Sequence, residues 1–232
     1  MDSNRKTALT VGILLIAATA TSLLGTAIEG TVLSGTHYLV RITENLTRLS
    51  AGGLFELIAA GTSAGIAISL YPVLKRESAT LAMGAVVFRA IEAVMYTFGA
   101  VSMLSLLKLA ADTDRPSFQA IGDSLLAFRE EAILAGVFAF VVGSLSYYSV
   151  FYRSRLVPGW LSVWGIAGAL LMLVACLSAL FSRTAVTSYV VLVLPIAVQE
   201  MVMAVWLIAK GFSSAAQDSG AVTRDALAAT AS

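Results

Sequence analysis

The chain has 232 residues, of which 58% are hydrophobic and only 12% charged, whereas roughly a quarter of the residues in a soluble domain are charged. That balance excludes an ordinary soluble domain and indicates an integral membrane protein. A net charge of +1 without any basic tract excludes nucleic acid as a partner, and the single cysteine, Cys176, rules out an intramolecular disulfide or a cysteine-based metal motif.

A bilayer core takes roughly 20 apolar residues per spanning helix. Six stretches meet that length: residues 8–28, 53–74, 79–107, 131–152, 159–181 and 187–210. The expected fold class is an all-α membrane protein, a bundle of six transmembrane helices with two amphipathic interfacial helices on the outer side. "MDSNRK" before the first span resembles the basic start of a signal peptide, but the apolar run that follows is longer than the roughly 7 to 15 residues of such a segment. The first span is therefore read as a retained anchor.

Six spans place Arg5, Lys6, Lys75, Arg76, Arg153, Arg155, Lys210 and Arg224 on one side, and Arg41, Arg48, Lys108, Arg115, Arg129 and Arg183 on the other. The positive-inside rule makes the first side cytoplasmic. This predicts a multi-pass protein of the cytoplasmic (inner) membrane with both termini inside.

The two interfacial helices are expected in the long outer connections. In "THYLVRITENLTRLS", Leu39, Ile42, Leu46 and Leu49 recur at helical spacing, with Arg41, Glu44, Asn45 and Arg48 on the other face. In "DTDRPSFQAIGDSLLAF", Asp114 and Pro116 suit a helix start, and Phe118, Ile121, Leu125 and Phe128 form a stripe. Asn45 in "NLT" also matches a glycosylation acceptor, a pattern common by chance. Residues 1–212 form the predicted membrane domain, and 213–232, rich in Ala, Ser and Thr, are expected to be a disordered cytoplasmic tail.

Three stretches, "SLYPVLKRESATLAMGAVVFRAIEAVMY", "YYSVFYRSRLVPGWLSVWGIAGALLML" and "LPIAVQEMVMAVWLIAKGF", resemble the signature segments of an uncharacterised bacterial membrane family, domain of unknown function 4386. The resemblance runs from "KTALTVGILLIA" to Phe212. It singles out Arg89 and Glu92, then Arg153, Ser154, Pro158, Gly159, Trp160 and Leu161, then Glu200, Trp206, Leu207, Lys210 and Gly211, with Asn45 between the first two spans. It implies a bacterial membrane bundle and supplies no reaction.

The intramembrane charges carry the functional question. A charge at the bilayer centre costs on the order of 2.5 to 3.5 kcal/mol by insertion scales, so it needs a partner. In the third span Ala85, Arg89, Glu92, Tyr96, Gly99 and Met103 share one helical face, while Val87, Ile91, Val94, Phe98 and Val101 lie elsewhere. The first set is expected to look into the bundle. Arg89 and Glu92 are three apart and can touch. At 1.5 Å per residue Arg89 lies about 15 Å from the cytoplasmic end, and Glu200 reaches about the same depth on the sixth span. An arginine between two carboxylates is the resulting expectation.

Farther out, Glu56 shares a face of the second span with Ala60, Ser63 and Ala67, and Ser22, Gly25, Thr26 and Glu29 line the outer end of the first span. With Glu130 and Glu131 these residues predict an acid-rich outer vestibule. Gly61 and Gly65 in "GTSAG" have the small-residue spacing of close helix packing. Pro195 frees a backbone carbonyl one turn earlier, near Glu200.

The ligand- or ion-binding candidates are Arg89, Glu92, Glu200, Tyr96 and Glu56. No metal or cofactor is expected, because the single histidine, His37, belongs to no ligand-spaced motif and lacks a nucleophile elbow. Two function classes stay open: a small transporter or ligand- or ion-binding membrane protein, and a non-catalytic partner or assembly protein, alone or as a homo-oligomer, whose buried charges are structural. An intramembrane enzyme is the weakest reading, since candidate nucleophiles and bases are few.

Overall fold

The computed structural model describes residues 3–33, 35, 38–111 and 117–213. They form seven α-helices: α1 (Ser3–Glu29), α2 (Tyr38–Glu44), α3 (Leu46–Leu74), α4 (Ala79–Ala110), α5 (Ser117–Ser154), α6 (Gly159–Ser182) and α7 (Val190–Ala209), the last preceded by a 3-10 turn at Val186–Tyr189. Six segments are long and apolar enough to cross a membrane, namely the long helices with the 3-10 turn joined to α7. Among the described residues there is no strand.

Short connections make sequence neighbours into spatial neighbours. Along the chain α1 packs on α3, α3 on α4, α4 on α5, α5 on α6 and α6 on α7, and α7 returns to α1 and closes the ring. The closing seam is specific. Arg5 donates to the carbonyls of Leu207 at 3.0 Å and Ile208 at 2.6 Å. A cation there meets the last carbonyls of α7 and the negative end of its dipole. Halfway between, Gly12 leaves the room that Ile208 occupies.

The spans are longer than expected at the end away from Arg5. The segment read as an interfacial helix over Leu39–Leu49 divides: α2 holds Leu39 and Ile42, both buried, whereas Leu46 and Leu49 already belong to α3. Asn45 lies at the junction and donates to the Arg41 carbonyl at 2.9 Å. In the second connection there is no separate interfacial helix, because α5 runs unbroken from Ser117 to Ser154. The expected stripe splits: Leu125 turns inward, whereas Ile121 is 47% and Phe128 52% exposed. The inward face carries Gly122, Leu125 and Leu126, which meet the α2 and α4 core, and Asp123 accepts from the Tyr38 hydroxyl at 2.9 Å. Where lipid is the surroundings, a large apolar stripe turns outward and small or polar residues make the helix contacts. His37, Asp114, Pro116 and residues 214–232 of the expected tail lie outside the described residues.

Glycine sets the tightest helix approaches. A Cβ on Gly165 of α6 would sit 2.4 Å from the Tyr148 ring, and one on Gly136 of α5 would sit 2.7 Å from the Tyr96 ring. The spaced pair in "GTSAG" is not a matched set: Gly65 meets Leu14 of α1, while Gly61 faces open space. Gly165→Ala is therefore expected to lower stability by about 1–3 kcal/mol through overpacking. Gly61→Ala should be neutral or stabilising by up to about 1 kcal/mol through helix propensity. Unfolding of the two purified variants in detergent measures the difference, and equal effects would contradict the packing.

Candidate functional site

Each of the six long helices contributes a buried polar residue to the interior. They include Thr19 on α1, Ser63 on α3, Arg89 and Glu92 on α4, Ser144 on α5, Ser162 on α6, and Gln199 and Glu200 on α7. The α4 face is the one expected: Ala85, Arg89, Glu92, Gly99 and Met103 are buried, while Val87, Ile91, Val94, Phe98 and Val101 are exposed. The reason is the helical period acting on scarce charge. Once Arg89 points inward, every residue three or four positions away follows it.

Arg89 is 2% and Glu92 3% exposed. Their charged groups lie 3.1 Å apart. The guanidinium carbon sits 4.8 Å from the centroid of the Phe140 ring of α5, in cation–π contact. Gly143, one turn farther along α5, leaves the space that the Arg89 methylenes fill.

Glu200 reaches the same layer and feels the charge of Arg89, but no ion pair joins them. Of the two carboxylates expected around Arg89, Glu92 makes the ion pair and Glu200 interacts through charge alone. The Glu200 carboxylate accepts from the Tyr147 hydroxyl at 3.5 Å, a long contact, with the same hydroxyl 3.3 Å from Ser144 Oγ. Equal depth along two helices does not fix azimuth, and the tyrosine of α5 stands closer. Tyr96, half-buried, lies on the same α4 face one turn past Glu92, its ring seated over Gly136.

Several buried atoms in this layer have no hydrogen-bond partner: Thr19 Oγ1, Ser63 Oγ, Glu92 Oε2, and Nε and Nη1 of Arg89. The 3.1 Å approach of Arg89 to Glu92 is a charge contact without hydrogen-bond alignment. Ser63 stands against Glu92, and Thr19 against Glu200. Buried polar groups are normally partnered, and here the two carboxylates are the polar neighbours of those hydroxyls.

Glu56 belongs to a second cluster. Nη2 of Arg129 on α5 binds Glu29 Oε2 at 2.8 Å and also binds Glu56 Oε1. Gly52 opens the space for the Glu29 side chain, and Gly99 faces the stem of Arg129. The expected open vestibule is thus bridged by a guanidinium, and Glu130 and Glu131, both exposed, lie apart from it. Of the outer residues of α1, Glu29 and Gly25 face inward, whereas Ser22 and Thr26 are exposed. Sequence reasoning named all three charges but did not join them, because residue 129 precedes the predicted start of its span.

It also missed a neutral network. The Tyr148 hydroxyl donates to Gln199 Oε1 at 2.5 Å, and Gln199 Nε2 donates to the Leu161 carbonyl at 3.0 Å, tying α5, α7 and α6 together. The signal was the polar run "YYS" and the "QE" pair inside apolar helices. Pro195 falls in the second turn of α7, so the carbonyl it frees is that of Val191, a residue 79% exposed. Among the described residues there is no group of three or more histidine, cysteine, aspartate or glutamate side chains placed to hold a metal ion.

A model of one family, described as Domain of unknown function (DUF4386), matches residues 10–211. The chain belongs to this family. The match covers all six apolar helices and both charged clusters. No curated protein and no solved structure matches the chain. Membership carries a fold-length domain and no activity, so the chemistry of this family member rests on its own residues.

The contact geometry orders the couplings. In double-mutant cycles on detergent-purified protein, Arg89→Gln with Glu92→Gln is expected to show an interaction energy of about 0.5–3 kcal/mol, the range for touching residues. Arg89→Gln with Glu200→Gln should show a smaller one. A larger coupling to Glu200 would overturn the assignment.

Proposed function

We propose that the protein is a small transporter or ion-binding protein of the bacterial cytoplasmic membrane, with a cation or proton held at Arg89, Glu92 and Glu200. The observation that carries this reading is the charge count in a sealed layer. One guanidinium faces two carboxylates, and the hydroxyls of Ser63 and Thr19 stand against those carboxylates in the same buried layer. Intramembrane ionisable groups are costly and mark ion paths. A guest of charge +1 neutralises the surplus carboxylate and gives the hydroxyl oxygens something to coordinate. In this reading Glu92 and Glu200 bind the guest, Arg89 limits the surplus to one charge, and Tyr96 flanks the site on the side toward Glu56.

A guest that binds the folded state alone at 100 times its Kd stabilises by about 2.7 kcal/mol. A thermal-shift series with monovalent cations, and with protons by lowering pH, is expected to raise the melting temperature for one of them. Glu92→Gln should abolish the shift. A shift unchanged in Glu92→Gln would move the site elsewhere, and no shift with any cation would favour buried charges that serve packing alone.

The orientation with both termini in the cytoplasm is supported by the clustering of Arg5, Lys6, Lys75, Arg76, Arg153, Arg155 and Lys210 at one end of the bundle. At the other end Arg129 is neutralised by two glutamates. Green fluorescent protein fused after Ser213 is expected to fluoresce, and alkaline phosphatase fused there to be inactive; the opposite pair of results would invert the topology.

A further inference from the structure

The Glu29–Arg129–Glu56 cluster has an unbalanced count of its own. Glu29 is 8% exposed, and the side chains of Arg129 and Glu56 are 11% and 18% exposed. Both acids bind the same guanidinium nitrogen, which sets one carboxyl against the other. Each keeps one buried oxygen, Oε1 of Glu29 and Oε2 of Glu56, that no donor reaches. Two ionised carboxylates in contact repel, and water is largely excluded. One hydrogen between them turns the repulsion into a bond and closes the charge count.

Other charges near the cluster do not alter that count. On α3, exposed Arg48 donates to the Ile28 carbonyl. On α5, Glu130 and Glu131 are exposed, and Asp123 is engaged by Tyr38. From α4 the facing residue is Gly99.

We propose that Glu29 and Glu56 share one proton over Arg129, making this cluster a proton-binding site at the end of the bundle where α1 ends and α3 begins. Loading takes one proton from water and forms one O–H···O bond; unloading returns it, and no other bond changes. The site stands whatever the central layer binds, because it uses none of Arg89, Glu92 or Glu200.

The test is infrared spectroscopy of the full chain, reconstituted at pH 7, comparing water with heavy water to find the carbonyl stretch of protonated carboxyls. Wild type is expected to show such a band. Glu29→Gln and Glu56→Gln should each lose the same portion of it, because either substitution leaves one carboxylate paired one-to-one with Arg129 and therefore ionised. The double variant should lose no more than either single one. An unchanged acid band in both single variants, or losses that add in the double, would overturn the proposal. So would failure of both single variants to fold, since a glutamine amide supplies the hydrogen that the shared proton supplied. Failure of a cation shift at Glu92 leaves this result untouched, so the two readings fall separately.

Discussion

In hydrocarbon a charged side chain has only the protein to solvate it, and this chain meets that constraint twice with the same ratio. One arginine serves two glutamates at each of two levels, Arg89 with Glu92 and Glu200, and Arg129 with Glu29 and Glu56. Much of the bundle follows from the need to bring those groups together. Glu29 and Glu56 come from different helices than Arg129, so α1, α3 and α5 converge at one end. Glu200 comes from the last helix, so α7 has to return to the ring that α1 begins. Glycines lie where the charged stems need volume: Gly52 beside Glu29, Gly99 beside Arg129, Gly143 beside Arg89.

The two levels are not equivalent, and the difference is mechanical. At Arg129 both acids bond a single nitrogen, which closes the cluster on itself. At Arg89 only Glu92 makes the ion pair, while Glu200 leans on a tyrosine hydroxyl. Beside it the Tyr148–Gln199–Leu161 network is neutral and satisfied, with distances of 2.5 and 3.0 Å. Gln199 and Glu200 are adjacent on α7, so the network anchors the backbone that presents Glu200. A buried polar network that is fully satisfied rigidifies its surroundings.

What could be read from the sequence was whatever the helical period and the scarcity of charge determine together. The six apolar lengths and the inward face of α4 follow from those two facts, since an arginine inside an apolar helix orients every neighbour on its turn. The depth of Glu200 was legible as well, because rise per residue is fixed. Its hydrogen-bond partner was not: depth says nothing about which helix stands nearest, and a tyrosine among apolar residues carries no charge signal. The Arg129 clamp was hidden for a different reason. A charge is naturally taken as the end of a span, so the fourth span was started at residue 131 and the arginine that lies inside α5 was set outside. Of the stripe Phe118, Ile121, Leu125 and Phe128 only Leu125 joins the contact face, with Gly122 and Leu126, while Ile121 and Phe128 turn outward, as large apolar residues can beside lipid.

Spacing along the helices relates the two levels. On α3 Glu56 and Ser63 are seven residues apart, and on α4 Glu92 and Gly99, which face the central and outer clusters respectively, are also seven apart. Seven residues are two turns, about 10.5 Å of rise, and they return to nearly the same face. Both clusters therefore lie along one stripe of the α3–α4 contact. Between them α3 carries the buried Ala59 and Ala60, and α4 carries Tyr96, whose ring turns to the notch of Gly136 on α5. About 10.5 Å of rise is too long for direct contact between Glu56 and Glu92, so the seven-residue period holds the two charge levels as separate clusters on one frame.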